Sequence, residues 1–189
     1  MVPSISPVDQ YSLNSIDLRL GNSFFINKPS LFTHISPHQM HDDNTEQDKL
    51  KFYFEKIEID VGKQFVLHPH QFVLACTLEY ISLPDDYYAF VLGRSTWGRL
   101  GLNIATATTV QAGYRGCLTL ELRNLGETPL PLTIGTRIAQ LSVVSAPESI
   151  TSTGAGYYAS QSKYIGPVSV GLPKVERDAD WEVLKQFMK

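Results

Sequence analysis

The chain has 189 residues, of which 43% are hydrophobic and 19% charged, and its formal net charge is -3. That length predicts a single domain with one packed core. The slightly acidic balance and the scattered basic residues argue against a nucleic acid as partner. No apolar run reaches the roughly 20 residues that cross a bilayer, so we expect no membrane partner.

The two cysteines, Cys76 and Cys117, lie far apart, each within an apolar run. Buried free thiols are typical of a reducing compartment. The start of the chain also lacks the pattern of a signal peptide. We therefore predict a cytoplasmic protein.

Most of the chain between residues 66 and 144 has the composition of short β-strands, rich in β-branched and aromatic residues. Strands are predicted at Val66–Tyr80, Tyr87–Leu92, Leu118–Asn124, Leu130–Ile134 and Arg137–Val144. Turn-forming residues at 83–86, 112–114, 125–127 and 134–136 separate them. Many short strands at close spacing predict an all-β barrel or sandwich rather than βαβ units.

Less regular segments interrupt and follow these strands. The polar stretch 27–51 predicts a long excursion from the sheet, and the Gly-, Ser- and Thr-rich residues 151–158 predict a mobile tail. Near the end, Trp181, Leu184 and Phe187 have the spacing of a short terminal helix. The predicted organisation is a β core over residues 1–150, followed by a tail with a short helix over residues 151–189.

The densest cluster of polar chemistry lies at residues 93–101, where two arginines and two hydroxyls follow an apolar strand. Ser95 or Thr96 is placed to cap a short helix whose free N–H groups face an anion, with Arg94 and Arg99 adding charge-assisted hydrogen bonds. This pattern indicates a site for a triphosphate. The alternative is a solvated turn with two surface arginines.

A second candidate is Glu121, in the middle of the predicted strand Leu118–Asn124. Alternation places Leu118, Leu120 and Leu122 on one face, and Glu121 on the other face with Thr119 and Arg123. A partly buried carboxylate has a raised pKa, which suits it to pass protons between water and a ring nitrogen. The alternative is an outward-facing glutamate paired with Arg123.

The sequence contains no pattern of metal ligands. Zinc-dependent nucleobase deaminases carry H-x-E followed by P-C-x-x-C, and this chain has neither H-x-E nor C-x-x-C. His68 and His70 are expected in a turn at a strand edge, and the histidines at 38–41 in a loop. Phosphate-binding glycine motifs are absent as well. We expect neither catalytic zinc nor a classical nucleotide-binding α/β fold.

Several segments, taken in order, resemble dCTP deaminases of the trimeric dUTPase-like superfamily. They are residues 15–21 (SIDLRLG), 67–69 (LHP), 83–84 (LP), 93–102 (GRSTWGRLGL), 112–116 (AGYRG), 118–126 (LTLELRNLG) and 136–142 (TRIAQLS, preceded by Gly135). The resemblance implies a distorted jelly-roll-like β-barrel with a few short helices. It also implies a homotrimer with active sites between subunits and hydrolytic deamination of dCTP to dUTP and ammonia.

The same resemblance assigns roles to individual residues. Glu121 matches the general acid/base, and Ala107 matches the residue whose carbonyl orients the attacking water. The residues that match or adjoin substrate-contacting positions are Arg94, Ser95, Thr96, Arg99, Thr106, Gln111, Tyr157 (or its neighbour Tyr158), Lys163 and Tyr164. Of these, Ser95 and Arg99 also assist catalysis. Mg²⁺ is expected only on the substrate phosphates, without catalytic zinc.

Gln111 departs from the family pattern, which has an aspartate before Pro-Gly at this point. In the family that aspartate binds the sugar 3′-hydroxyl, and its dUTPase counterpart activates water. Because a neutral amide cannot accept a proton, a dUTPase or bifunctional activity is disfavoured but stays open. A family member that binds nucleotides without turnover is the other alternative.

Overall fold

The computed structural model describes residues 10–29, 50, 52–105, 109–146 and 166–174, together with positions 183, 186 and 187. Within these ranges strands dominate, which confirms the mainly β fold. No helix in the part of the chain so described is long and apolar enough to cross a membrane.

Ten strands and a short helix between the fifth and sixth strands form the framework of the described residues. In chain order they are β1 (Ser15–Asn27), β2 (Phe54–Glu58), β3 (Gln64–Leu67), β4 (Phe72–Ser82), β5 (Tyr87–Gly93), α1 (Ser95–Arg99), β6 (Leu102–Ile104), β7 (Thr109–Val110), β8 (Arg115–Asn124), β9 (Leu130–Thr133) and β10 (Arg137–Ser145).

The main sheet has the strand order β6-β8-β4-β1-β10-β5-β7, with β2 paired to β1. Strand β1 links its two parts, because residues 15–19 pair antiparallel with β10 and residues 20–26 pair with β4. Strands β3 and β9 form a separate antiparallel pair. This curled arrangement agrees with the predicted jelly-roll-like barrel.

The core lies between the curled sheet and the β3–β9 pair. Leu18 of β1 and Leu120 of β8 are fully buried, as is Leu132 of β9. Phe24 stacks on Phe65 of β3 with ring centroids 4.7 Å apart. Burial of these apolar side chains makes the main favourable contribution to the free energy of folding.

The predicted strand Val66–Tyr80 is wrong as a single element. It is divided into β3 and β4 by a turn, in which the Gln71 amide donates to the His68 carbonyl at 3.1 Å. His70 takes a positive φ of 61° there, and its amide donates to the Asn124 carbonyl at 2.8 Å. Apolar residues precede and follow the short segment 68–71, so composition alone does not separate the two strands.

The other predicted strands are confirmed, whereas most of the predicted excursion and tail lie outside the described residues. The other four predicted strands correspond to β5, β8, β9 and β10, whereas β1, β2, β6 and β7 were not among the predicted strands. Residues 30–49, which make up most of the predicted excursion, and residues 147–165 lie outside the described ranges. Of the predicted terminal helix, Val183, Gln186 and Phe187 are described, and their backbone is helical.

Candidate active site

The arginine-rich segment forms the short helix α1 at the end of β5. Arg94 occupies the N-cap position in an extended conformation, and no side chain caps the helix. The expectation that Ser95 or Thr96 caps it is therefore wrong, because both residues already lie inside the helix. Their side chains are exposed, as is that of Arg99 in the last turn.

Contacts to β10 hold α1 in place. The Trp97 indole Nε1 donates to the Arg137 carbonyl at 3.0 Å, and the ring packs against the main hydrophobic cluster. The Arg94 amide donates to the Ile138 carbonyl at 3.4 Å. These contacts rigidify the base of the helix and leave its hydroxyl and guanidinium groups facing solvent.

The side chain of Arg94 is bound to Asp17 of β1. Arg94 Nη1 lies 2.7 Å from Asp17 Oδ2, and Arg137 Nη1 lies 3.2 Å from the same oxygen. Gln140 Nε2 donates to Asp17 Oδ1 at 3.1 Å. The alternative in which Arg94 is a solvated surface residue is therefore wrong, because its guanidinium is ion-paired within a hydrogen-bonded cluster.

Asp17, Arg137 and Gln140 were not among the predicted site residues. The only signal available was their position in the segments 15–21 and 136–142, which carried the family resemblance. Asp17 and Arg94 lie 77 positions apart, and Asp17 and Arg137 lie 120 apart. Their contact depends on the pairing of β1 with β10, which local pattern does not reveal.

Glu121 lies in the middle of β8, on the face opposite to Leu120 and Leu122, as predicted. Its side chain is half-buried, and desolvation by burial raises the pKa of its carboxyl. Arg123 is exposed, and no ion pair joins it to Glu121 within the described ranges. The alternative of a glutamate neutralised by Arg123 is therefore not supported.

The chain that leaves α1 returns directly to the strand of Glu121. After a turn at Gly101, β6 pairs with β8, with Ile104 opposite Leu122. The Ala105 amide then donates to the Glu121 carbonyl at 2.9 Å. In sheet order, however, β4, β1 and β10 separate β8 from β5, where Arg94 follows. Among the described residues no hydrogen bond joins the Glu121 side chain to Arg94 or Arg99.

Gln111 is exposed at the start of the turn between β7 and β8, and its carbonyl accepts from the Tyr114 amide at 3.2 Å. The turn packs on the β4–β5 connection, where the Gly113 amide donates to the Pro84 carbonyl at 3.2 Å. A Cβ at Gly113, whose φ is +74°, would lie 2.6 Å from Asp85 Oδ1. The position of Gln111 is thus fixed by two interlocked turns.

Comparison with protein families gives a direct match. The family model described as dCTP deaminase-like matches residues 2–145. The chain belongs to this family. It is 36% identical over 185 residues to the "dCTP deaminase, dUMP-forming" of Methanosphaera stadtmanae, covering 95% of this chain and 88% of that relative. It is 38% identical over 181 residues to the dCTP deaminase of Haloarcula marismortui, with the same coverages.

Two further relatives of this dCTP deaminase-like chain extend the comparison. The "dCTP deaminase, dUMP-forming" of Dictyoglomus thermophilum is 44% identical over 141 residues, which cover 74% of this chain and 69% of the relative. Among solved structures, the 2′-deoxycytidine 5′-triphosphate deaminase of Agrobacterium tumefaciens matches with a TM-score of 0.56 and 26% identity. That match covers 74% of this chain and 42% of the other.

Some predicted site residues of this family member lie outside the described ranges. They are Thr106, Ala107, Tyr157, Lys163 and Tyr164. Thr106 and Ala107 directly follow Ala105, whose amide is bonded to the Glu121 carbonyl. Their predicted roles stay predictions.

The structure describes both cysteines and several residues of the types that bind metals. Cys76 and Cys117 are both free and buried, as predicted, and desolvation raises the pKa of the Cys117 thiol to about 11. Such thiols are poor nucleophiles because the reactive form is the thiolate. No group of three or more His, Cys, Asp or Glu side chains converges in the part of the chain that the structure describes.

Proposed function

We propose that the protein hydrolytically deaminates dCTP to dUTP and ammonia, with Glu121 as the general acid/base. Membership of the dCTP deaminase-like family and the names of its relatives support this activity. The structural observation that carries it is Glu121, a half-buried strand carboxylate with a raised pKa. A raised pKa lets a carboxylate take up a proton more readily than an exposed glutamate does, which suits a general acid/base.

The chemistry follows from one carboxylate beside the pyrimidine ring. Glu121 takes a proton from a water held near C4 of cytosine, and the resulting hydroxide forms the new C4–O bond. Glu121 delivers that proton to N3, where it stays in the uracil ring. It then carries the proton of the new C4 hydroxyl to the amino group, and the C4–N bond breaks as the C4=O bond forms, which releases ammonia. The Ala107 carbonyl is proposed to orient the water, which lowers the entropic part of the barrier.

The triphosphate is proposed to lie against α1. Arg94 and Arg99 supply guanidinium groups, and Ser95 and Thr96 supply hydroxyls on the exposed side of the helix. The other residues proposed to contact substrate are Thr106, Gln111, Tyr157, Lys163 and Tyr164. Mg²⁺ is proposed to arrive with the substrate, since phosphate oxygens and water are its preferred ligands. No zinc is proposed at the reacting carbon.

A homotrimer with sites between subunits is the proposed assembly, in the cytoplasm. Within the part of the chain that the structure describes, no hydrogen bond joins the Glu121 side chain to Arg94 or Arg99, which is compatible with sites that a neighbouring subunit completes. In a closed ring of three copies, each site would take Glu121 from one subunit and Arg94 from the next.

A second candidate is the combined reaction that forms dUMP. Relatives at 36% and 44% identity carry this name, and it requires hydrolysis of dUTP in addition to deamination. Gln111 argues against it, because an amide cannot act as the base that activates water at the triphosphate.

The decisive experiment measures ammonia and pyrophosphate from the same reactions. Purified protein with Mg²⁺ is incubated separately with dCTP, CTP, dCMP and dUTP. We expect ammonia from dCTP and no pyrophosphate from any of the three triphosphates. Pyrophosphate from dUTP would establish the dUMP-forming reaction instead. Nucleotide binding without ammonia from any substrate would overturn the deaminase proposal.

A further inference from the structure

Asp17 is the centre of the polar cluster that lies behind α1. Its side chain is 10% exposed, compared with 26% for Arg94 and 45% for Arg137. Both carboxylate oxygens are used, one by the two guanidiniums and the other by the Gln140 amide. A carboxylate held at three points in this way has a fixed orientation, and so has the guanidinium bound to it.

The cluster continues into the interior through Gln10. Its Nε2 lies within hydrogen-bond distance of both the Asp17 carbonyl, at 2.9 Å, and Glu79 Oε1, at 2.8 Å. Glu79 is fully buried and pairs with Arg19 Nε at 2.6 Å. Gln10 therefore joins the backbone of Asp17 in β1 to Glu79 of β4. Such support distinguishes a fixed group from an exposed ion pair, which contributes little.

We infer that Asp17 is a positioning residue that holds the Arg94 guanidinium in the orientation that receives a substrate phosphate. The inference rests on the proposed function, which assigns Arg94 to the triphosphate. Asp17 itself touches no substrate atom. Arginine has five N–H groups in a planar fork, so the Nη1 bond to Asp17 leaves further donors for a phosphate.

The direction in which KM for dCTP changes when Asp17 is substituted separates a positioning role from repulsion between Asp17 and the triphosphate. A negative charge near a bound triphosphate repels it, so removal of the Asp17 charge alone would tighten binding. If Asp17 positions Arg94, its removal frees the long arginine side chain and weakens binding. Asp17→Asn keeps the size of the side chain but replaces the charged carboxylate by a neutral amide, which has one acceptor oxygen instead of two and binds a guanidinium more weakly.

The test is a double-mutant cycle of Asp17→Asn and Arg94→Ala, measured as KM and kcat for dCTP at constant ionic strength. We expect Asp17→Asn to raise KM about tenfold and to change kcat less than about threefold, since a phosphate contact provides uniform binding. In the Arg94→Ala background the same substitution should not raise KM further. Asp60→Asn, which breaks an exposed pair with Lys63, is the matched control and should leave both constants unchanged.

Two outcomes would overturn the inference: a lower KM in Asp17→Asn, or an equal rise in KM with and without Arg94. Should Asp17→Asn not fold, Gln140→Met removes only the amide that binds the other carboxylate oxygen of Asp17. It should raise KM less than Asp17→Asn, and this rise should also disappear in the Arg94→Ala background. If the wild-type protein releases no ammonia, the proposed function fails. The cycle is then evaluated from dissociation constants of dCTP, which need no turnover.

Discussion

Glu121 is the residue on which the proposed chemistry depends. A group that both accepts and donates a proton must change its protonation state during the reaction, and the pKa of Glu121, raised by burial, makes proton uptake easier than for an exposed glutamate. We expect Glu121→Gln to lower kcat at least about 100-fold, the lower range for loss of a general acid/base. Since the amide keeps the size of the side chain, dCTP affinity should stay within about tenfold.

The matched control for this substitution is Glu127→Gln, in the turn after β8. Glu127 is exposed, and its carboxylate lies 3.7 Å from His70 Nε2. Its replacement should leave kcat unchanged within about twofold, as expected for a surface site away from the reaction. Normal turnover by Glu121→Gln would show that another group acts as the base.

The pH dependence follows from the same carboxylate. Glu121 must be deprotonated to take a proton from water, so kcat/KM should fall as the pH drops through its pKa. Because burial raises this pKa, the acidic limb should lie above the ordinary pKa of glutamate. A kcat/KM profile measured down to the pH at which the protein unfolds checks this. A limb at or below the ordinary value would contradict the role of burial.

Stability gives an independent control on that pKa. A folded-state pKa above the unfolded value contributes stability at low pH, which is lost as the pH rises through the folded-state pKa. Relative to Glu121→Gln, the wild-type protein should therefore lose stability as the pH rises through that value. Melting temperatures of the two proteins across the same pH series provide the comparison.

At the scale of single residues, the sequence supported the correct face for Glu121 but not the partners of Arg94. Strand alternation is local, so the burial of Leu120 and Leu122 could be predicted from spacing. The cluster around Asp17 joins residues from β1, the end of β5 and β10, and no local pattern encodes that contact.

At the scale of elements, the connection from α1 to β6 depends on Gly101. Its φ is +95°, and a Cβ there would lie 2.9 Å from the backbone nitrogen of Gly126. We expect Gly101→Ala to destabilise the protein by about 1–3 kcal/mol, because it combines backbone strain with a clash against main chain. Unfolding in urea at one fixed protein concentration measures the change.

Gly98 is the matched control within the same segment. It lies inside α1, has no positive φ, and a Cβ there would meet nothing within 4 Å. Gly98→Ala should stabilise the helix by about 0.5–1 kcal/mol through the lower backbone entropy of alanine. Equal effects of the two substitutions would show that the turn at Gly101 places no demand on its backbone.

Strand prediction from the sequence was wrong or incomplete where strands are short or where a turn is fixed by residues far away in the sequence. Residues 66–80 contain one apolar stretch after another, and the break at 68–71 depends on His70 bonding to Asn124 of β8. Strands β6 and β7 have only three and two residues, too few for alternation to be recognised. Strand β1 alternates between polar and apolar residues from Ser15 to Leu20, but the consecutive apolar residues 24–26 break the pattern in its second half.

At the scale of the whole molecule, one chain carries the two halves of the proposed chemistry in different parts of its sheet. Arg94 is fixed to β1 and β10 through Asp17 and Ile138, whereas Glu121 belongs to β8, beyond β4 in the sheet order. A monomeric enzyme would need both groups around one nucleotide. The proposed trimer meets this requirement by combining Glu121 of one subunit with Arg94 of another.

This arrangement predicts that a binding-impaired variant and a turnover-impaired variant restore each other when both are assayed at dCTP concentrations far below the KM of Arg94→Ala. Arg94→Ala and Glu121→Gln, co-expressed with different tags and purified as hybrids, should recover activity, because some sites then receive both native residues. Random assembly of equal amounts gives about one quarter of native sites if each site draws the two residues from different subunits. Hybrids of Glu121→Gln with the double variant contain no native Glu121 and should stay inactive. Recovery no greater than in this control would place Arg94 and Glu121 of each site in the same subunit.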